Sequence, residues 1–343
     1  MIEKGVFSRL IDSYKNVFGF KLKHKEVLPT KNTKEDHGYI VFQNVSKSFN
    51  RKCVLKEINL EIKPGKILGI IGVNGSGKTT LLKLLIGFYR ADKGSISFKG
   101  KSVIENIRNF GFATQSDSFY GKLTVAENIR YFGELYGLTD EFINAHMKNI
   151  LKLVQLLDSK DILAENLSTG MKRRLDIACA LVHDPSVLIL DEPTEDLDPA
   201  LRAEMLKLIK HINKNGTTII MTSHLLSDAE RICDEIAILN DGKIVVHDTP
   251  NNLKNILKYE EIILKSYPGK YDKLRKGIEK WKDVIGRSYV IDNSLVIHVK
   301  KGEKVLPKLL NFIKKNKEKV VKLDVQKPTL SEVFLKVIKH GEI

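Results

Sequence analysis

Residues 72–79 of the chain read Gly-Val-Asn-Gly-Ser-Gly-Lys-Thr and match the pattern GxxxxGK[ST]. In this pattern the glycines let consecutive backbone N–H groups turn inward around a phosphate at the start of a helix. Lys78 is then expected to reach the β- and γ-phosphates of a nucleotide, and the Thr79 hydroxyl to bind Mg²⁺. The residues expected to contact the nucleotide are Gly72, Asn74, Gly75, Ser76, Gly77, Lys78, Thr79 and Thr80. The alternative is a chance match in a glycine-rich turn.

A second pattern with chemical meaning is the apolar run of residues 187–190, which is followed by Asp191 and Glu192. Ligands of α/β proteins bind at the carboxyl ends of the strands, where these two acids would lie. Two adjacent carboxylates at a dry strand end are costly unless a cation or a proton-transfer role compensates. Asp191 is therefore predicted to bind Mg²⁺, and Glu192 to polarise the attacking water as general base. The less specific alternative is a strand that simply emerges into solvent.

The elements that must position these residues alternate in type along the chain. Five apolar segments are predicted as strands: residues 39–45, 58–62, 67–71, 186–190 and 217–221. The third of them leads into the glycine-rich loop and a helix over residues 78–88, so the loop lies between a strand and a helix, as its pattern requires. Strands that are separated by helices are typical of a parallel α/β sheet.

The last ninety residues follow a different order. Strands are predicted over residues 261–265, 288–291, 295–299 and 320–325, and helices over residues 271–284, 304–314 and 330–339. The first six of these elements make the order βαββαβ, which indicates a small two-layer α+β domain of the ferredoxin-like type. We therefore expect an N-terminal helix and linker over residues 1–37, a nucleotide-binding domain over residues 38–253 and a basic C-terminal domain over residues 254–343.

Over about residues 39–253, the order of motifs resembles the nucleotide-binding subunit of ATP-binding cassette (ABC) transporters. The resemblance implies a P-loop NTPase core with an antiparallel β subdomain and a helical subdomain at about residues 116–183. It also implies ATP and Mg²⁺ as cofactors and ATP hydrolysis as the activity. Phe49 stands where the family has an aromatic that stacks on adenine. Gln115 matches the loop glutamine that touches Mg²⁺ and the attacking water and senses the transmembrane partner, and His224 matches the switch histidine at the γ-phosphate.

Residues 167–171, Leu-Ser-Thr-Gly-Met, resemble the family signature Leu-Ser-Gly-Gly-Gln. Thr169 and Met171 depart from it, whereas Ser168 and Gly170, the hydroxyl and the backbone that approach the γ-phosphate, are kept. We therefore expect a working site. In this family the signature caps the ATP held by a second subunit. The resemblance thus implies a head-to-tail homodimer, or a pair with a second ATPase subunit.

The segments that follow these motifs carry further charges. Asp196 and Asp198 occupy the loop after the general base, and Asp196 is a charge at a position where the family has a small residue facing the partner subunit. Arg173 and Arg174 follow the signature by one helical turn. They either steer phosphate electrostatically or belong to a solvated helix face.

Most of the net charge of the chain comes from its last ninety residues. The 343-residue chain has a formal net charge of +15, and residues 254–343, with 22 basic and 11 acidic side chains, supply +11 of it. Lysines that solvate helix faces account for this excess, and the next alternative is attraction to an anionic membrane surface. Aromatic residues that could stack on bases are not interleaved with the lysines, so no nucleic-acid partner is expected.

Two classes of function remain open. The signature variant and residues 327–335, Lys-Pro-Thr-Leu-Ser-Glu-Val-Phe-Leu, resemble the branch that exports drugs, antibiotics and lipids. No window approaches the roughly 18 apolar residues that cross a bilayer, so we expect a separate permease and a peripheral position on the cytoplasmic face of the cell membrane. The alternative is a soluble ABC-type ATPase that acts on nucleic acid or ribosomes. Against it stand the single phosphate loop and signature, and the lack of a long heptad arm.

The first 36 residues have the pattern of an amphipathic helix followed by a lysine-rich linker. The apolar side chains that share one face are Val6, Leu10, Ile11, Tyr14, Val17 and Phe18. With basic residues nearby, this face could lie on the membrane or dock on the permease. Packing on the rest of its own chain is the equal alternative.

Overall fold

The computed structural model describes residues 38–286 and 288–340, so the predicted N-terminal amphipathic helix lies outside the described residues. The chain divides into two compact units, residues 1–247 and 248–343. Among the described residues, no helix is both long and apolar enough to cross a membrane.

The first unit contains two sheets and six α-helices in its described part. Its strands are β1 (Ile40–Phe49), β2 (Lys52–Ile62), β3 (Ile67–Ile71), β4 (Lys93–Phe98), β5 (Lys101–Ser102), β6 (Phe110–Ala113), β7 (Val187–Leu190), β8 (Thr218–Ser223), β9 (Glu235–Asn240) and β10 (Lys243–Asp248). Its helices are α1 (Lys78–Leu85), α2 (Val125–Leu135), α3 (Asp140–Leu153), α4 (Thr169–Leu181), α5 (Pro199–Lys214) and α6 (Leu226–Ile232).

The larger sheet has six strands in the order β10-β9-β3-β8-β7-β6. The pairs β9–β3, β3–β8, β8–β7 and β7–β6 are parallel. Every residue of β3, β7 and β8 is buried, as expected for parallel strands covered on both faces. Since the four neighbours β3, β8, β7 and β6 run in one direction, the loops that follow them begin at the same edge of the sheet.

The smaller sheet is antiparallel, in the order β2-β1-β4-β5. Helix α1 shares one apolar core with both sheets: its Leu81 and Leu85 join Phe42 of β1 and Ile70 of β3. The predicted strand over residues 39–45 was too short, because β1 runs on to Phe49 and β2 already begins at Lys52.

The reason for this error is the turn between β1 and β2. Asn50 and Arg51 form a two-residue hairpin loop, and both have positive φ angles, 46° and 67°. Such a turn matches the twist of the two strands, but an Asn-Gly pair is its usual sequence signal. An arginine in its second position gave no such signal.

Helices α2, α3 and α4 contact one another and form the helical part of the first unit. Helix α2 begins with a capping box, in which Thr124 and Glu127 each accept a hydrogen bond from the other's backbone N–H. Helix α4 begins at the signature, with Ser168 as its N-cap. The signature is therefore presented at a helix N-terminus.

The second unit has four strands and four helices in its described part. They are α7 (Pro250–Asn255), β11 (Glu260–Tyr267), α8 (Tyr271–Ile278), β12 (Tyr289–Ile291), β13 (Ser294–Val299), α9 (Gly302–Lys315), β14 (Lys319–Gln326) and α10 (Leu330–His340). The sheet order is β12-β13-β11-β14 with antiparallel pairs throughout, which is the split-βαβ arrangement that the sequence predicted.

One helix of the second unit is shorter than predicted. Helix α8 ends at Ile278 rather than at residue 284. The following segment pairs with β13 instead, since Val284 bridges to Val299 and the Ile285 N–H donates to the His298 carbonyl at 2.8 Å. Trp281 and Val284 still pack on the core. The apolar spacing that predicted a longer helix therefore belongs to a loop that is packed on the same core.

Candidate functional site

The glycine-rich loop connects β3 to α1, as predicted. A Cβ atom on Gly72 would lie 2.4 Å from the carbonyl oxygen of Leu239, so no larger residue fits there without a shift of the backbone. Gly77 has a φ of 110° and begins α1 as its N-cap, a conformation that residues with a side chain rarely adopt. The loop thus brings backbone N–H groups to a helix N-terminus, the arrangement that binds phosphate.

The polar side chains of this loop are buried. The side chain of Lys78 is 7% exposed, and its ammonium group donates to the Gly72 carbonyl at 2.9 Å and lies 3.4 Å from Oε1 of Glu192. Ser76 is also buried, and its hydroxyl has no hydrogen-bond partner in the described part of the chain. A buried hydroxyl without a partner beside a buried ammonium group fits an anionic oxygen as the missing partner.

Asp191 follows β7 and is buried beside the first turn of α1. Its Oδ1 accepts a hydrogen bond from the Thr222 hydroxyl of β8 at 2.5 Å, and the Thr79 hydroxyl also bonds to this carboxylate. Burial raises the pKa of Asp191, and the two hydroxyl groups oppose that rise. A cation would lower the cost of keeping this carboxylate ionised, so Asp191 and Thr79 together suit Mg²⁺. Thr222 was not predicted, because a threonine within a strand gives no functional signal.

Glu192, the predicted general base, contacts two other predicted site residues, Lys78 and His224. Its Oε1 faces Lys78, and its Oε2 accepts from the backbone N–H of His224 at 3.2 Å and lies 2.9 Å from Nδ1 of the same residue. Glu192 has a φ of 51°, which a non-glycine residue rarely adopts outside functional or turn positions. The carboxylate is therefore held between the end of β8 and the phosphate loop, as a general base must be.

Gln115 follows β6 and is exposed. Its amide Nε2 donates to Oε2 of Glu195, three residues beyond Glu192. The backbone N–H of Asp191 also donates to the Ala113 carbonyl at the end of β6, at 3.0 Å. The structure thus joins the loop that carries Gln115 to the loop that follows Asp191 and Glu192. Glu195 was part of the predicted loop but had no predicted role.

Phe49 lies at the end of β1 and is half-buried. Its ring meets Tyr89 edge to face, with the centroids 4.9 Å apart, and the ammonium group of Lys47 lies 5.3 Å from its centroid. These neighbours orient the ring. Its stacking on adenine stays a prediction.

The signature residues are placed by the start of α4. The Ser168 hydroxyl accepts from the Met171 N–H at 3.4 Å, and Gly170 packs against Leu201, which a Cβ atom would meet at 3.3 Å. Ser168 and Thr169 are exposed, and Met171 is half-buried. In the described part of the chain, the hydrogen bonds of Ser168 are made within α4 itself. Its predicted contact with ATP on a second subunit stays a prediction.

The two aspartates of the following loop differ in their surroundings. Asp198 is the N-cap of α5 and accepts from the N–H groups of Ala200 and Leu201 at 2.8 and 3.0 Å. Asp196 is exposed and has a φ of 59°. Capping therefore accounts for Asp198 within its own chain, whereas Asp196 is available to another surface.

Neither alternative considered for Arg174 is correct. Arg174 is only 8% exposed, and its guanidinium group donates to the Val154 carbonyl, to Gln155 and to Glu204. A group held by three partners neither steers phosphate nor solvates a helix face; it fastens α4 to α3 and α5. The planar fork of donors suits arginine to this role.

Arg173 and Asp176 connect α4 to the segment that carries Gln115. Arg173 donates to the Thr114 carbonyl at 3.2 Å, and Asp176 accepts from the N–H and the hydroxyl of Ser118 at 2.9 and 2.7 Å. Asp176 is 2% exposed, and burial raises its pKa to about 7 in spite of these bonds. The sequence gave no signal for this link, because its partners lie 58 residues apart along the chain.

The raised pKa of Asp176 predicts a pH-dependent stability. A carboxyl group whose pKa rises on folding stabilises the fold below its unfolded pKa of about 4, and this contribution is lost as the pH rises through 7. Asparagine is neutral throughout. The free energy of unfolding of the wild type should therefore fall, relative to that of Asp176→Asn, by up to about 4 kcal/mol between pH 4 and 8. Urea unfolding at several pH values measures it.

The control for this prediction is Asp158→Asn, a change at an exposed aspartate of the same helical region. It should follow the wild type at every pH. Parallel stability curves for the wild type and Asp176→Asn would show that Asp176 is ionised over the whole range.

Two family models match the chain. A model described as "ABC transporter" matches residues 55–195, and one described as "ATP-binding protein DrrA1-3-like, C-terminal domain" matches residues 249–338. The first covers the phosphate loop, Asp191 and Glu192, and the second covers nearly all of the second unit.

Curated relatives match over most of the chain. The linearmycin resistance ATP-binding protein LnrL of Bacillus subtilis (strain 168) is 31% identical over 85% of this chain and 96% of its own length. The Nod factor export ATP-binding protein I of Rhizobium etli is 30% identical over 87% of this chain and 92% of its own length.

Solved structures also match. The structure titled as cbiO1 from Clostridium perfringens, part of the ABC transporter complex cbiONQ, is 28% identical with a TM-score of 0.59, over 63% of this chain and 90% of that one. The ATP-binding cassette MJ1267 in its ADP conformation, with a TM-score of 0.60 and 24% identity over 64% of this chain and 95% of that one, shows the same fold.

Proposed function

The chain belongs to the ATP-binding subunits of ABC transporters, of the exporter type, and on this premise we propose how its residues divide the work. ATP is held by the phosphate loop, with Lys78 at the β- and γ-phosphates. The observation that carries this proposal is the single sheet edge at which four neighbouring strands end. Lys78, Asp191, Glu192 and His224 are already in contact there, directly or through Thr222 and Thr79.

Mg²⁺ is proposed to be held by Asp191, the Thr79 hydroxyl and Gln115, all of which offer oxygen ligands. When bound, it would neutralise charge on the phosphates. Asp191 and Thr79 fit this role because they are in contact with each other and because Asp191 is buried. The bond of Gln115 to Glu195 uses the amide nitrogen, so the amide oxygen is the atom that would bind the metal.

Glu192 is proposed to accept the proton of the attacking water. The backbone N–H of His224 and the ammonium group of Lys78 hold the two oxygens of this carboxylate in place, so its position is fixed before any water arrives. His224 is 39% exposed at its side chain and can turn toward the γ-phosphate while its backbone bond to Glu192 remains. Phe49 is proposed to stack on the adenine ring.

The complete site is proposed to require a second copy of the chain, or a second ATPase subunit. Ser168 and Thr169 are exposed at the N-terminus of α4, which is a suitable place from which to approach an anion on another molecule. Thr169 and Met171 depart from the family signature. They do not alter the hydroxyl of Ser168 or the backbone of Gly170, which are the groups proposed to approach the γ-phosphate. Asp196 would face the same partner.

The motion produced by this site is proposed to drive a separate transmembrane permease from the cytoplasmic face of the membrane. LnrL is named for resistance to linearmycin and the Rhizobium etli protein for export of Nod factor, and we propose export for this chain as well. The alternative, a soluble ABC-type ATPase acting on nucleic acid or ribosomes, is not favoured, since these relatives match over most of the chain. The basic second unit is proposed to lie near the anionic lipid headgroups.

Copurification tests the partner. The tagged chain, extracted with mild detergent from the membranes of its own cells, should bring down a multi-span membrane protein in stoichiometric amount. ATP hydrolysis of that complex should exceed that of the chain alone, and Gln115→Ala should reduce the difference. Recovery of ribosomes or nucleic acid at physiological salt, with no membrane protein, would contradict the proposal.

A further inference from the structure

The second unit gathers three side chains of the kinds that bind metals. Glu261 on β11 and His298 on β13 are direct cross-strand partners, and Glu332 lies in the first turn of α10. Each of the three residues offers one ligand atom, and these three atoms all lie within 4.8 Å of one another. Their neighbours in the strands, Ile262 and Ile297, point into the apolar core, so the cluster lies on the other face of the sheet.

Each of the three side chains is oriented by a neighbour. Nε2 of His298 lies 2.9 Å from Oε1 of Glu261, and Gln326 on β14 donates to Oε2 of Glu261 at 3.4 Å. Oε2 of Glu332 accepts from the N–H and the hydroxyl of Thr329 at 2.8 and 3.2 Å, so this carboxylate is fixed by the helix cap. Such outer contacts are what metal sites use to hold their ligands.

Two aromatic residues close the cluster. Tyr259 stacks on the ring of His298 with the centroids 4.4 Å apart, and Tyr289 meets the same ring edge to face at 5.6 Å. The hydroxyl of Tyr289 also bonds to Glu261. The imidazole is thus fixed in orientation, and the Tyr289 hydroxyl is an oxygen atom within reach of the cluster besides its three side chains.

The charges of the cluster favour a bound cation. Glu261 is 4% exposed, and it bonds to Glu332 side chain to side chain. Two carboxylates in contact at a site of this burial repel each other, and a cation bound between them would remove that repulsion.

We propose that Glu261, His298 and Glu332 form a binding site for a divalent transition-metal ion, with Zn²⁺ as the ion that suits them. One imidazole and two carboxylates are ligands that Zn²⁺ accepts, and water or the Tyr289 hydroxyl supplies the fourth position. Because Glu332 comes from α10 and the other ligands from the sheet, the ion ties this helix to the sheet. This site is independent of the nucleotide site.

The test uses the full-length protein after treatment with a chelator, in the presence of excess Mg²⁺. Titration calorimetry with Zn²⁺ should find one site per chain that His298→Asn removes and that Glu332→Gln weakens at least about 100-fold. Co²⁺ should show the visible absorption of a four-coordinate site in the wild type but not in His298→Asn or Glu332→Gln. Glu332→Gln keeps the helix cap, since glutamine also completes a capping box, and so separates ligation from folding.

His247→Asn is the matched control, because His247 lies 3.1 Å from a single carboxylate, that of Glu235. It should keep the high-affinity site. Zn²⁺ should also raise the midpoint of thermal unfolding of the wild type and of His247→Asn, but not that of the two ligand variants. Equal Zn²⁺ affinity in the wild type and both ligand variants would overturn the proposal. So would a wild type that binds no Zn²⁺, and the cluster would then be a hydrogen-bonded contact only.

Discussion

Glu192→Gln is expected to bind ATP and to hydrolyse it at least about 100-fold more slowly than the wild-type chain, within the range that a general base contributes. Glutamine has nearly the same shape and can still accept from the His224 N–H, but it cannot take a proton from water. Lys78 loses its carboxylate partner, and a bound phosphate can replace it. The rate of phosphate release under single-turnover conditions and the amount of ATP retained on the protein measure these two effects.

The matched control is Glu105→Gln, a change at an exposed acid that has no place in the proposed site. Its hydrolysis should equal that of the wild type. Normal turnover by Glu192→Gln would mean that another group takes the proton, and loss of ATP binding would mean that the carboxylate is needed to shape the phosphate loop.

The same variant shows whether the site is shared. With ATP retained, Glu192→Gln should form a dimer, which light scattering on a sizing column detects. Adding Ser168→Asp should prevent the dimer while each chain still binds ATP, because aspartate keeps the cap of α4 but repels the phosphate of the partner. Ser168→Asn keeps the cap without the charge and should still dimerise. A loss of ATP affinity in the single chain would instead place the signature at its own nucleotide.

Lys78→Ala is the second change with a large expected effect, and it acts on binding rather than on the proton transfer. The ammonium group lies at the centre of the loop, in contact with the Gly72 carbonyl and near Glu192. Loss of a charge-assisted contact to phosphate, together with a Glu192 carboxylate that has lost its ammonium partner, should raise the dissociation constant for ATP by roughly 10- to 100-fold. Titration with a fluorescent ATP analogue measures it.

Lys83→Ala is the control for this change, since Lys83 lies on the same helix with its ammonium group 5.7 Å from the Phe88 ring. Its affinity for ATP should match that of the wild type. An unchanged dissociation constant in Lys78→Ala would show that the backbone N–H groups of the loop hold the phosphates without the lysine.

The parts of the fold that depend on local pattern were predictable from the sequence. The split-βαβ order of the second unit and the strand, loop and helix around Lys78 follow from apolar spacing and turn residues, and the structure has both. The predicted end of α8 was wrong because Trp281 and Val284 continue the helical spacing of apolar residues although they lie in a loop. Periodicity reports which residues are buried, and it does not report whether a neighbouring strand takes the backbone hydrogen bonds.

The contacts that the sequence did not reveal are those made across long separations. Thr222 supports Asp191 from a neighbouring strand, Arg174 joins three helices, and Asp176 binds Ser118. None of these residues belongs to a motif, and each has a type that is common on protein surfaces. Their roles follow only from the sheet order and the packing of α4, which no local pattern encodes.

The hydrogen bond between Gln115 and Glu195 would couple contact with the permease to contact with the second ATPase subunit. One loop is proposed to meet the permease and the other the second ATPase subunit, and each loop contributes one end of this bond. Whatever draws one end away also frees the other, so the two encounters become thermodynamically reciprocal. A bond worth about 1 kcal/mol makes each encounter roughly fivefold easier after the other, in both directions and by the same factor. Cargo bound at the membrane would then raise the apparent affinity of this chain for ATP. The one hydrogen bond would couple the two events, and no longer series of coupled residues would be needed.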